Sequence, residues 1–239
     1  MMAYDGATMK LLTWNVLHRV HAERHSEPAI RAWPDETRRI HGVATRVRAL
    51  ADEGVEVLLL QEVSGDVLAE LRARLPDRAV LNHLYPRVPR AKPSVKDPTE
   101  HLVIVAPPGS RVLRAHTFSN DPGKGFLLVG VPGGAAVLST HVSWGKNGEP
   151  QLSLLAQVVA AHSGVLCIGG DFNAEREAIS KALGLPIAPL PEGALRTRPQ
   201  DGGGSDIDHL LCRGAVLSEV AVLEHGDLSD HRPVVGIVT

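Results

Sequence analysis

The sequence predicts an α+β protein in which two mainly antiparallel sheets pack face to face with helices on their outer sides. Three observations carry this. Ten short runs rich in leucine or β-branched residues are bounded by Gly, Pro, Asp or Ser, the pattern of strands. Several of them are apolar along their whole length instead of alternating, as strands covered on both faces are. Helical spacing is confined to a few segments that alternate with strands in the first half and again in the second, which fits layers of helix on sheet.

The first strand is MKLLTWNV. A helix follows over Asp35–Glu53, where Ile40, Val43, Ala44, Val47 and Leu50 recur at three- and four-residue steps while arginines take the other side. VEVLLLQEV is the next strand, followed by a helix over Ser64–Leu75. HLVIVAP, RVLRAHTF, GFLLVGV and AAVLSTHV form a run of strands before a helix over Glu149–His162. VLCIGGDF precedes a short helix over Glu175–Leu183, and IDHLLC, AVLSEVAVL and PVVGIV complete the set. Arg19–Pro34 and Asn82–His101 read as long irregular stretches, and such loops in a compact domain are often functional. If both flank one mouth, Arg19, Arg24, Arg31, Arg87, Arg90, Lys92 and Lys96 make it locally positive; ordinary solvated charge is the equal alternative. RPQDGGGSD, with three consecutive glycines, reads as a flexible loop.

At 239 residues, with 44% hydrophobic and 22% charged residues, the chain is expected to form one domain over residues 1–239 with a conventional core. A formal net charge of -2 gives no global electrostatic argument for gripping a long polyanion, so any attraction for phosphate is expected to be local. No stretch approaches the ~18 apolar residues of a membrane span. The opening MMAYDGATMK lacks the order of a secretion signal, and a cytoplasmic location is expected. Cys167 and Cys212 sit in apolar runs and read as buried small hydrophobes in a reducing compartment, with a disulfide as the alternative.

Five short motifs carry the chemistry. TWNV and LLLQEV put Asn15 and Glu62 at the ends of apolar strands. A carboxylate at the tip of a buried strand is held rigidly and partly desolvated, which is how a hard-cation site is built from oxygen ligands. For Glu62 alone, a strand-end charge reaching solvent competes. STHVSW places His141 after a strand, and Trp144 is a candidate substrate contact. In GGDFNA the two glycines let backbone and ligand approach closely. Asp171 and Asn173, two apart on an extended segment, point the same way, so one orients a water while the other donates to a phosphate oxygen; an Asx-turn is the structural alternative. SDIDHLL carries Asp208, and GDLSDHRPV carries Asp230 and His231. An Asp accepting from one imidazole nitrogen fixes the tautomer and frees the other nitrogen for a phosphate or nucleophile. Polar groups at strand ends in this order are hard to obtain from packing alone.

The order WN, QE, TH, GDFN, IDH and SDHRP, from about Leu11 to Val238, resembles the endonuclease/exonuclease/phosphatase superfamily. The resemblance implies a four-layered αββα sandwich and a Mg²⁺-dependent phosphoester hydrolase, with Mn²⁺ as a possible substitute. It implies that Glu62 is the principal metal ligand, with Asn15 and Asp230 near the same ion. Asp171 would position or deprotonate the attacking water, and Asn173 would stabilise the transition state. His231, oriented by Asp208, would contact the scissile phosphate, and His141 would bind phosphate or protonate the leaving oxygen. Leu17 departs from the abasic-site branch, which has a polar residue there, and the opening looks more like the deadenylase type. Glu100-His101 stands where many members have a Gly. His21 and His25 are spaced for one helical face, but their segment reads as loop, so they and His18 are read as surface or supporting histidines.

The leading function is therefore a phosphodiesterase or nuclease acting on a nucleic acid or nucleotide. A phosphatase of a small phosphorylated metabolite is the alternative, and a catalytically inactive binding module is a third. With only 3% aromatic residues for base stacking, a short or small substrate is favoured. No protein partner is implied.

Overall fold

The structure is a computed structural model that describes residues 8–90, 94–200 and 203–239. Lys92 and most of MMAYDGATMK lie outside the described residues. The chain runs β1 (Met9–Asn15), α1 (Arg19–His25), α2 (Pro28–Ala32), α3 (Glu36–Asp52), β2 (Val57–Ser64), α4 (Gly65–Arg74), β3 (Ala79–Leu84), β4 (Glu100–Ala106), β5 (Arg111–Thr117) and β6 (Gly125–Gly130). It continues through β7 (Ala136–His141), α5 (Glu149–Ala161), β8 (Leu166–Asp171), α6 (Arg176–Leu183), β9 (Arg198–Gln200), β10 (Gly203–Ser205), β11 (Asp208–Arg213), β12 (Leu217–Val222) and β13 (Val234–Val238).

A six-stranded sheet has the order β12-β13-β1-β2-β4-β3, and a five-stranded sheet the order β11-β8-β7-β6-β5. Only β1/β2 and β7/β8 pair in parallel within them. The strands are apolar throughout because each sheet is covered twice. Along β1, successive side chains part to opposite faces: Leu12 and Trp14 join Leu58, Leu60 and the Val43, Val47, Leu50 and Leu71 stripe of α3 and α4. Met9 and Leu11 instead join Val57, Leu59, Leu127, Val137 and Leu210 between the sheets. The far face of the second sheet, including Phe126, Leu138 and Ile168, packs on Leu155, Val159 and Ile179 of α5 and α6. The result is an α+β sandwich of four layers.

Every strand and helix expected from the sequence is present, and the departures have local causes. Arg19–Pro34 is not irregular: it holds α1 and α2, too short to display a helical period but capped by the His18 side chain and begun by Pro28. β3 was hidden because Asn82 and His83 interrupt its apolar run, and it lies at a sheet edge. The glycine-rich loop forms the small β9/β10 hairpin, with residues 201 and 202 outside the described residues. Not all α3 arginines face solvent. Arg39 is buried, chelated by Glu36 at 2.7 and 2.8 Å, and donates to the Val16, Leu17 and Leu228 carbonyls. It thereby ties the loop after β1 to the loop before β13. Cys167 and Cys212 are free, buried and directly opposite one another, their sulfurs 3.1 Å apart. Among the described residues, no helix is long and apolar enough to cross a membrane.

Candidate active site

Strand register assembles the site. In the parallel pair β1/β2, Asn15 lies opposite Gln61, so Glu62 emerges one residue beyond the same end. In β7/β8 His141 lies opposite Asp171, and in β8/β11 Asp171 lies opposite Asp208. The central strands of both sheets therefore deliver their polar ends to one place.

Glu62 gets there through a bulge. The β2/β4 register slips between Leu60 and Val63, and Glu62 has φ 55. A non-glycine residue in that left-handed region is strained, and a bulge is a device for re-aiming a side chain. Gln61 turns between the sheets, donating to Leu59 O at 3.1 Å and to Ser139 Oγ at 3.1 Å. Glu62 turns to the site and accepts from Asn15 Nδ2 at 3.2 Å and His18 N at 3.0 Å. Asn15 Nδ2 also donates to Asp171 Oδ2 at 3.0 Å, while its Oδ1 accepts from Leu17 N. Asn15 is thus a bridge between two carboxylates.

Asp171 Oδ2 lies 3.3 Å from His141 Nε2 and 3.8 Å from His231 Nε2. His141 Nε2 also touches Lys124 Nζ. His231 Nδ1 pairs with Asp208 Oδ2 at 2.8 Å, and its Nε2 is 3.8 Å from Asp230 Oδ2. The remaining motif letters hold this arrangement: Trp14 Nε1 donates to His231 O, and Ser229 Oγ donates to Asn15 O while accepting from His231 N.

Two local readings need correction. Asn173 is not on an extended segment: it has φ 50, and its N–H donates to Asp171 Oδ1 at 3.0 Å, an Asx-turn that aims Asn173 Nδ2 at Val142 O. The two glycines serve the sheets, not a ligand. A Cβ on Gly169 would come within 2.7 Å of Leu59 in the facing sheet, and one on Gly170 would strike the Thr140 carbonyl. Trp144 is exposed before a 3₁₀ turn and does not line the cavity shared by Glu62, His141, Asp171, Asn173, Asp230 and His231.

Burial opposes the charge on Glu62 and Asp171. The surrounding cations outweigh it: His21, His141 and Lys124 for Glu62, and His231, His141 and Lys124 for Asp171, so both carboxyls are held well below the usual range. Burial likewise disfavours the His231 imidazolium, but Asp208, Asp230 and Asp171 push its pKa up to about 10. Burial raises the Asp208 carboxyl despite this pairing; it is the larger rise of His231, to about 10, that keeps the shared proton on the imidazole at neutral pH. The linkage has a definite sign. Stability from His231 is complete below its ordinary value near 6.5 and is lost as pH rises toward about 10, whereas that from Glu62 and Asp171 is lost as pH falls below the ordinary carboxylate range. The metal-free protein should therefore melt at progressively lower temperature from about pH 6.5 to 9.5, less steeply in His231→Gln. Equal slopes in a calorimetric series would contradict the His231 assignment.

The donor set suits a hard cation: the Glu62, Asp171 and Asp230 carboxylates line one cavity, and oxygen ligands of this kind bind Mg²⁺ or Mn²⁺. Among the described residues, the tight group of possible ligands is Asp171, Asp208 and His231, within 4.8 Å of one another. The Asp208–His231 hydrogen bond already uses two of those atoms.

The sequence model of the Endonuclease/Exonuclease/phosphatase family matches residues 12–231. The chain belongs to this family. Its members are divalent-metal-dependent phosphoester hydrolases, and so is this protein. No curated protein sequence matches the chain significantly. Solved structures do: TDP2 from D. rerio complexed with a single-strand DNA product has a TM-score of 0.68 at 15% identity, covering 98% of this chain and 99% of that one. ANGEL2, a 2',3'-cyclic phosphatase in complex with adenosine-2',3'-vanadate, has a TM-score of 0.66 at 15% identity over 97% and 95% of the chains. The mannosyl-6-phosphatase of Bacteroides thetaiotaomicron has a TM-score of 0.63 at 12% identity over 97% and 99%. At these identities the likeness establishes the fold.

Beyond the family motifs, His21, Arg24, Glu27, Arg87, Lys124 and Arg198 also line the cavity. Two of the arginines suspected of flanking a mouth, Arg24 and Arg87, are among them; Arg19 is buried against Glu23, and Arg31 lines a neighbouring cavity. His21 lies on α1 and pairs with buried Glu100 at 3.1 Å, so neither is a casual surface residue. No sequence signal marked Lys124 or Arg198; each is an ordinary charged residue placed by the fold.

Proposed function

We propose that the protein is a Mg²⁺-dependent phosphodiesterase, able to use Mn²⁺, that cleaves a P–O bond of a nucleic acid or nucleotide by in-line attack of water. The observation that carries this reading is Asp171 Oδ2, met by Asn15, His141 and His231 from three separate strands or loops. Such convergence on one carboxylate oxygen is a preorganised reaction centre. In this reading Glu62 holds the cation, with Asp230 and Asn15 beside it, and the ion supplies neutralisation of phosphoryl charge.

The other roles follow from the environments. An Asp held well below its ordinary pKa is a weak base, so Asp171 orients the water toward phosphorus and accepts its proton only as the P–O bond breaks. His231, kept cationic by Asp208, steadies a phosphoryl oxygen. Asn173, fixed by its turn, borders the same oxygens. His141, with Lys124 beside it, delivers a proton to the leaving oxygen. Trp144 is retained only as an outlying contact for a long substrate. The free thiols of Cys167 and Cys212 support a reducing, cytoplasmic location. The bound ligands of the D. rerio TDP2 and ANGEL2 structures support a nucleotide-type substrate.

A small-metabolite phosphatase is favoured by one observation, the reacting cavity of only about 240 Å³. A panel of single- and double-stranded DNA, RNA and phosphomonoesters separates the readings. Diesters should be cleaved faster; phosphate release from monoesters alone would overturn the phosphodiesterase assignment.

A further inference from the structure

The cavity at the reacting centre, about 240 Å³, is lined almost wholly by charged and polar side chains, which suit a phosphoryl group and a cation. It offers the organic part of a diester little apolar surface, Leu17 being the one apolar side chain among its described lining residues. A second cavity of about 670 Å³ adjoins the first, and Glu27 and Asp230 line both. Between them stands Arg198, whose Nη2 is 3.3 Å from Glu27 and 3.2 Å from Asp230.

The walls of this second cavity differ from those of the first. Pro28, Ala29 and Ala32 of α2 and Pro199 of β9 supply apolar surface. Arg31 and Arg232 stand among them. Arg31 is exposed and has no ion pair or hydrogen bond among the described residues. Arg232 is already engaged: its Nη1 donates to Arg196 O at 3.2 Å and its Nε faces Glu224 Oε2 at 3.6 Å. Glu27, Asp227 and Asp230 line it too, so the lining is mixed in charge. A volume of this size, with apolar walls and a few polar tips, is that of a small-molecule site. Proline faces suit a planar ring, and an unpaired guanidinium suits a phosphate.

We propose that this cavity is a nucleoside subsite, holding a base and sugar attached to the scissile phosphoryl with Arg31 offered to the next phosphate. The inference rests on the phosphodiesterase reading and narrows it. A base in this cavity is unpaired, so single strands and short oligonucleotides are preferred to duplex.

Matched esters test it. Methyl p-nitrophenyl phosphate and thymidine 3′- and 5′-(p-nitrophenyl phosphate) share a leaving group and differ in the nucleoside. The wild type should show a KM at least about tenfold lower for one thymidine ester than for the methyl ester, equivalent to about 1.4 kcal/mol. Ala32→Trp, at an exposed helix-end position, should fill the cavity and abolish that advantage while methyl-ester kinetics stay within about twofold, within the usual reach of a surface substitution. Arg31→Ala should raise KM only for a thymidine ester carrying a second phosphate. An intact thymidine advantage in Ala32→Trp, or none in the wild type, would overturn the subsite. Failure of the wild type to cleave any of the three esters would instead overturn the phosphodiesterase reading, and the subsite with it.

Discussion

Asp171→Asn is expected to lower kcat by about 10²-fold or more, the scale of a mispositioned reactant, with the far-UV circular dichroism unchanged. The substitution keeps the shape and removes the charge at the one oxygen that Asn15, His141 and His231 all approach. Because that carboxylate is a weak base, the loss should fall on orientation, and the variant should stay slow across pH 6 to 9 without recovering at alkaline pH. Recovery at high pH would mean that hydroxide replaces a general base, and the orienting role would be wrong. Wild-type turnover would remove Asp171 from the chemistry altogether.

His231→Gln should cost about 10²–10³-fold in kcat, the loss seen when one preorganised donor to a developing anion is removed. Gln retains a donor but not the charge, so the effect measures the imidazolium that Asp208, Asp230 and Asp171 maintain to about pH 10. The wild type should accordingly show no fall in kcat attributable to His231 near the ordinary imidazole value of about 6.5. A kcat that declines with an apparent pKa near 7 in the wild type and not in His231→Gln would show that His231 titrates normally and is not held as a cation.

What could be read beforehand was whatever a single run of residues encodes. Apolar runs such as LLLQEV and VLCIGGDF are strands because both sheet faces are covered, and the α3 stripe is legible because it spans several turns. The polar ends of those strands named most of the site. What escaped was set by pairing and packing. The left-handed turn of Glu62 arises from a bulge against β4, and nothing in QE announces it. Arg39 looked like a solvent-facing arginine until the carbonyls of two loops closed on it. The glycines of GGDF answered to the facing sheet and to β7. α1, with His21, was too short to show a period, so the His21–Glu100 pair was invisible.

The most direct measurement is hydrolysis of bis-p-nitrophenyl phosphate by the wild type after EDTA treatment and after Mg²⁺ or Mn²⁺ is restored, with Asp171→Asn in parallel. Turnover that vanishes with chelation, returns with the cation and is absent from Asp171→Asn is the predicted result. Turnover that survives EDTA, or that Asp171→Asn retains in full, would contradict a metal-dependent phosphodiesterase centred on Asp171.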